Sequence, residues 1–227
     1  MADLLTQLGS LAAAGMMLVS SALDAAAPQH DVDGLLFLIN RQWRVSQNFV
    51  PEVVSANVQG NTRQMRADAA AALEEMFAAC RKETGVSMVT ISGYRSYRTQ
   101  ENIYDRKLKN VGGKTEKADE FVARPGASEH QLGLAMDVNE RAREAGLTAS
   151  FGRTVTGKWL KENCWRFGFI LRYQEGWEDV TGYSAEPWHV RYVGKEYAED
   201  IYQQNVPFET FMQAFRASVL LEIVVGE

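Results

Sequence analysis

Met65, Ala69, Leu73, Met76, Phe77 and Cys80 recur at three- and four-residue steps, so residues 62–84 carry one apolar stripe along a helix. A helix of that kind must bury its stripe against a second layer. Gly85 supplies the C-cap that ends it. Residues 86–91 follow at once as a strand rich in β-branched side chains, broken by Ser92 and Gly93. Helix and sheet therefore pack on each other from the first strong element onward.

The rest of the chain keeps mixing the two. Ser96 or Thr99 can cap a second helix running to about Asn110, ended by Gly112 and Gly113. Residues 114–122 suit a short helix, and Arg124, Pro125 and Gly126 are turn chemistry. Residues 134–139 alternate, with Leu134, Met136 and Val138 on one face and Ala135, Asp137 and Asn139 on the other. A helix over 157–167 capped by Gly168, a strand over 169–173, a loop over 174–183, a strand over 189–193 and a helix over 195–204 complete the order. The connections are irregular and lack a βαβ repeat. The expected fold class is α+β, with a central, mainly antiparallel sheet and flanking helices.

The 227 residues, 46% hydrophobic and 23% charged, suffice for one core with appendages. A net charge of −5, with basic residues scattered among acids, excludes the footprint of a nucleic-acid binder. Cys80 and Cys164 form no Cys-x-x-Cys pair, so two buried free thiols are expected, with a bridge between them left open. Residues 1–30 read as an apolar leader and linker. The run from Leu4 to Leu23 has no charge, and Ala25 to Ala27 suit a signal peptidase, but Asp3 stands where a basic start is usual. A signal or membrane anchor and a loosely packed helix are equally compatible with it. Residues 31–212 then form the functional domain, and 213–227 a tail whose apolar run could pack, pair as a strand or mark an interface. The oligomeric state is open at this level.

Only three histidines occur, and two stand inside dense polar clusters. One cluster runs Ser128, Glu129, His130, Gln131, Leu132, Gly133, Leu134, Ala135, Met136, Asp137; the other is Glu186, Pro187, Trp188, His189. A zinc hydrolase needs three nitrogen or carboxylate ligands, one open position and a carboxylate that moves protons. His130, Asp137 and His189 supply the ligands, and Glu186 the proton carrier. A carboxylate in mid-strand among small residues has little purpose unless it meets a cation. Taken singly, each pair would be read as a surface pair or a turn; their co-occurrence beside two strands raises the functional reading. Trp188 should turn away from His189 by strand alternation, and Tyr94, Trp177 and Tyr183 sit in loops flanking the motifs. His30 stands alone near the leader and receives no role.

The first cluster resembles the Ser-x-His-x-x-Gly-x-Ala-x-Asp signature of the VanY-like D-alanyl-D-alanine carboxypeptidases, and the second their Glu-x-x-His signature. Ser92-Gly93-Tyr94-Arg95-Ser96 with Gln100 resembles the family's upstream segment. The likeness spans roughly residues 35–212. It implies the hedgehog/D-Ala-D-Ala peptidase fold type, a Zn2+ cofactor and peptidoglycan stem peptides or their precursors as substrate, met outside the cytoplasm at the wall or membrane. It further implies that His130, Asp137 and His189 bind zinc and that Glu186 is general base, then acid. Arg95 would hold the substrate's terminal carboxylate or the oxyanion, with Gln100 and Ser128 at the substrate terminus. The plain alternatives are a surface role for Arg95 beside Arg98 and a capping role for Ser128. L,D-carboxypeptidase, D,D-dipeptidase and endolysin activities share the fold, and a zinc-bearing binding module is the rival of another class. A proton carrier such as Glu186 is superfluous in a pure binding module.

Overall fold

The computed structural model describes residues 34–141 and 146–225. The leader, His30 and the proposed linker before Gly34 lie outside the described residues. Four strands form the main sheet: β3 (Met88–Ser92), β4 (Ala135–Glu140), β5 (Phe169–Tyr173) and β6 (Glu186–Tyr192). Their order is β3-β4-β6-β5, and every pairing is antiparallel. A two-stranded ribbon, β1 (Val54–Ser55) with β2 (Gln64–Met65), stands apart. The helices are α1 (Ala67–Thr84), α2 (Tyr97–Asn110), α3 (Thr115–Asp119), α4 (Val155–Asn163), α5 (Glu178–Thr181), α6 (Lys195–Gln204) and α7 (Phe208–Val225).

The α+β class and the antiparallel sheet are as the sequence implies, but several bounds differ. The apolar stripe begins at Met65, yet the first helix starts at Ala67, because residues 64–65 pair with β1 and the Arg66 amide bonds to Gly133 O at 2.8 Å. The fourth helix starts earlier than expected, since Thr154 caps it by accepting from the Gly157 amide at 3.0 Å. It passes at Cys164 into a 3-10 turn closed by Gly168. The expected loop over 174–183 contains α5. The last strand begins at Glu186, not His189. The apolar tail is helical, as part of α7, which runs through residue 212 without a break; the strand option is set aside.

One face of the sheet takes the stripe of α1. Leu73, Met76 and Cys80 pack with Leu134, Met136, Val138, Leu171 and Val190, and with Trp159 and Leu160 from α4. These side chains are buried, and each contributes roughly 1.5–3 kcal/mol of burial free energy. Cys80 and Cys164 are buried free thiols there, and burial pushes them up to about 11 and about 12 respectively. The other face is divided. Under α6 and α7 it is apolar, with Ile170, Ala198, Ile201, Phe208, Phe211 and Met212. Beyond that cover it is polar and carries Asp137 and His189, with Arg191 at the boundary against Phe208.

Candidate metal centre

Register builds the site. In β4 and β6, Asp137 and His189 are direct cross-strand partners, so their side chains leave the same face side by side. His130 arrives from the 3-10 turn Glu129–Leu132, which ends at Gly133 with φ +69°. A Cβ at Gly133 would meet Val53 Cγ1 at 3.0 Å in a conformation that L side chains rarely adopt. The turn is thereby held against β4. Gly93 lets the chain pass close to Gln64 O, where a Cβ would approach to 2.6 Å, and its carbonyl accepts from His130 Nδ1 at 2.8 Å.

That bond sets the tautomer. With Nδ1 donating, His130 Nε2 carries the lone pair, and it is buried without a partner. It lies 3.3 Å from Asp137 Oδ2, while His189 Nδ1 lies 3.0 Å from Asp137 Oδ1. Ligand atoms of all three residues lie within 4.8 Å of one another. Zn–ligand bonds of ~2.0–2.2 Å in a tetrahedron separate ligand atoms by about 3.4 Å, so the donor set fits such an ion. An orphaned imidazole lone pair aimed at a carboxylate makes little sense without a cation between them.

Burial alone would lower His130 and raise Asp137. For His130 burial prevails, with the Arg95 charge adding to it, and the ring is held down to about 4, neutral and ready to ligate. For Asp137 the His130 and His189 rings beside it outweigh burial, and the carboxyl sits well below its usual range. Burial also opposes charge on His189, but bonds to Asp137 and Glu129 raise it to about 9. A cation at the triad would take the place of that proton. Glu186 is pushed up to about 7, chiefly by burial, and its Oε2 lies 3.9 Å from His189 Nδ1. A cation nearby would pull it back down.

All seven residues singled out in the sequence line one cleft of about 220 Å³: Arg95, Gln100, Ser128, His130, Asp137, Glu186 and His189. Arg95 Nη2 is 3.6 Å from Asp137 Oδ2, and its buried Nε has no partner, unlike the exposed Arg98, which pairs with Glu101. Gln100 donates from Nε2 to Ala123 O at 2.7 Å and leaves Oε1 buried and free. Ser128 makes no capping bond with its side chain. Tyr183 lines the cleft, whereas Trp177 lies in a separate apolar pocket behind β5. Trp188 does not turn away cleanly: it packs on the core and also lines the cleft. The cause is a register irregularity. Leu171 pairs with Val190 but Tyr173 with Glu186, so β6 carries two extra residues there and alternation fails.

Other residues were not singled out in the sequence. Glu129 is fully buried behind His189 and accepts from its Nε2 at 3.0 Å. Arg172 Nε and Arg191 Nη1 bond to the other oxygen of Glu129 at 2.8 and 3.1 Å. Burial would raise Glu129, but these two guanidiniums hold it far below the ordinary range. A signal existed: Arg172 stands in the apolar strand Phe169 to Tyr173, and a buried guanidinium needs an anion just as Asp137 needs a cation. Arg41 was equally invisible. Its Nη2 bonds to Asp119 O at 2.5 Å and to Gly182 O, tying the segment before Phe121 to the segment before Tyr183, two walls of the cleft.

The fold and the cleft define the class: an α+β protein of the hedgehog/D-Ala-D-Ala peptidase fold type, with a His/Asp/His set that could hold a metal. The family model "VanY: D-alanyl-D-alanine carboxypeptidase" matches residues 62–195, and the chain belongs to that family. It is 40% identical over 188 residues to YodJ of Bacillus subtilis (strain 168), covering 80% of this chain and 68% of that protein. The structure of the LdcB LD-carboxypeptidase aligns with TM-score 0.76 and 40% identity, over 81% of this chain and 87% of that one. A vancomycin-resistance D,D-pentapeptidase VanY variant in complex with Zn(II) aligns with TM-score 0.68 and 35% identity, over 78% of this chain and 98% of that one. Among the described residues no helix is long and apolar enough to cross a membrane.

Proposed function

We propose that this chain is a zinc-dependent carboxypeptidase that removes the terminal D-alanine from peptidoglycan stem peptides. The observation that carries the reading is the His130, Asp137 and His189 triad, with the buried Nε2 of His130 left without a partner. The Zn(II) complex of the related VanY variant supports zinc as the ion. Peptidoglycan stem peptides place the reaction outside the cytoplasm, and residues 31–212 serve as the catalytic unit.

His130, Asp137 and His189 would hold the ion, which when bound polarises the scissile carbonyl and acidifies water near neutral pH. Glu186 accepts a proton from the attacking water as its oxygen bonds to the acyl carbon. As the C–N bond breaks, Glu186 returns that proton to the leaving amine, so D-alanine departs as a free amino acid. Arg95 lines the cleft beside Asp137, and its planar fork suits the free carboxylate of that residue. Gln100 and Ser128 line the same cleft and would orient the terminus. The tyrosine-lined wall and Trp188 reduce water access around these groups.

The direct test is metal content, measured on wild type and His189→Ala side by side. About one zinc per wild-type chain is expected, and almost none in the variant. A wild-type protein that refuses added zinc would overturn the reading. Replacing Arg95 with Ala should lower kcat/KM on free-carboxylate peptides by about 10–100-fold, with a much smaller loss on amidated ones. Equal losses on both would assign Arg95 to the oxyanion or the fold.

The likeness to LdcB favours a second reading, L,D-carboxypeptidase, with the same machinery acting on a shorter stem. Defined peptides separate the two. Shortening of a pentapeptide supports D,D cleavage; an intact pentapeptide beside a shortened tetrapeptide supports L,D cleavage.

A further inference from the structure

Behind the triad lies a buried charged network that ends outside residues 62–195, the stretch the family model matches. Arg172, fully buried, gives its Nε to Glu129 Oε1 at 2.8 Å. Its two outer nitrogens fork onto Glu209 of α7, Nη1 to Oε2 at 2.9 Å and Nη2 to Oε1 at 2.6 Å. Arg191 gives Nη1 to the same Glu129 oxygen and Nη2 to Leu35 O and Phe37 O, both at 2.9 Å. Only Oε2 of Glu129 remains, and it receives His189 Nε2 at 3.0 Å. The two guanidiniums are fully buried and stand near the face of Phe208, at 5.5 Å each, while the Glu209 side chain keeps 15% of its surface exposed.

We infer that Glu209 is a positioning residue for the metal centre: through Arg172 and Glu129 it fixes the His189 ring so that Nδ1 faces Asp137. This rests on the metallopeptidase reading above. A guanidinium with no access to solvent seeks all the anionic acceptors it can reach. While Glu209 occupies both outer nitrogens, Arg172 spends a single bond on Glu129. Without that fork, Glu129 is the remaining anion within reach, and a bidentate approach by Arg172 competes for Oε2. His189 Nε2 then loses its acceptor and the ring its fixed direction. A helix beyond the matched stretch thus supplies the last member of a chain of four side chains that ends on a proposed ligand.

The competing explanation is that Glu209 merely anchors α7. Phe211→Ala separates the two, because Phe211 is buried in the apolar cluster under α7 but takes no part in the ionic chain. Full-length wild type, Glu209→Gln and Phe211→Ala would be compared by zinc competition against a chelator, by thermal melting, and by the downfield proton resonance of the His189 Nε2–H in the metal-free protein. The expected result is about tenfold weaker zinc binding in Glu209→Gln, within the range for outer-shell partners, with a shifted or lost resonance. Phe211→Ala should melt earlier while keeping its zinc affinity within about twofold. Glu209→Asp, which retains the carboxylate one methylene short, should recover part of the affinity, and it decides the question if the Gln variant does not fold. Wild-type affinity and an unmoved resonance in both Glu209 variants would overturn the inference. So would an equal loss of affinity in Phe211→Ala. Failure of the wild type to bind zinc would instead defeat the metallopeptidase reading, with the resonance still reporting on the positioning of His189.

Discussion

Glu186→Gln is expected to bind zinc as the wild type does and to lose turnover by about 10²–10⁴-fold, the usual contribution of a positioned general acid–base. The substitution keeps the shape of the side chain and removes its ability to take and return a proton. Glu186 does not belong to the triad, and its Oε2 lies 3.9 Å from His189 Nδ1, beyond bonding distance, so the ion's own donors stay in place. The change should appear in kcat more than in KM, because the proton transfer matters in the transition state and not in substrate binding. Steady-state kinetics with parallel metal analysis would check this. Undiminished turnover in a zinc-loaded Gln variant would remove Glu186 from the mechanism, and loss of zinc would make it a ligand.

The second large effect falls on stability. Glu129→Ala strips the acceptor from Arg172 Nε, Arg191 Nη1 and His189 Nε2 at once, all of them buried. Breaking a buried ion pair by removing one partner costs about 3–5 kcal/mol, since the orphaned charge cannot reach water. In a domain of this size that corresponds to a fall in Tm of about 6–20 °C. Zinc affinity should drop about 10–100-fold as well, because the ring of His189 is no longer oriented from behind. Thermal melts with and without zinc would measure both. A Tm within about 2 °C of wild type would mean that water or another group replaces the carboxylate, and the network would lose its assigned importance.

The proposed ligands were legible from residue type and spacing because a metal site uses a small chemical alphabet. Two of three histidines beside acids, and a carboxylate in mid-strand, are costly arrangements unless a cation meets them. Alternation over residues 134–139 placed Asp137 on the face opposite Leu134 and Met136, and the sheet follows that pattern. The stripe of α1, its Gly85 cap and the strand over 169–173 were equally readable, since helix and strand periods are local properties. Partners distant in sequence were not. Local spacing carries no information about Arg41 reaching the carbonyls of Asp119 and Gly182.

Glu186 shows the boundary most clearly. Strict alternation puts residues 186 and 189 on opposite faces, and the sequence reading began the strand only at His189. The register irregularity between β5 and β6 brings both to one cleft, a decision made by strand pairing across the sheet. Glu209 marks the same limit from the other side. The tail read simply as apolar, yet its helix carries the carboxylate that holds Arg172 37 residues away in the chain. The sequence by itself determined which atoms could bind a metal and move a proton, because that is a matter of side-chain chemistry. Only the tertiary structure decided which of them converge and what holds them in direction, because convergence depends on register and on buried charges finding each other across the fold.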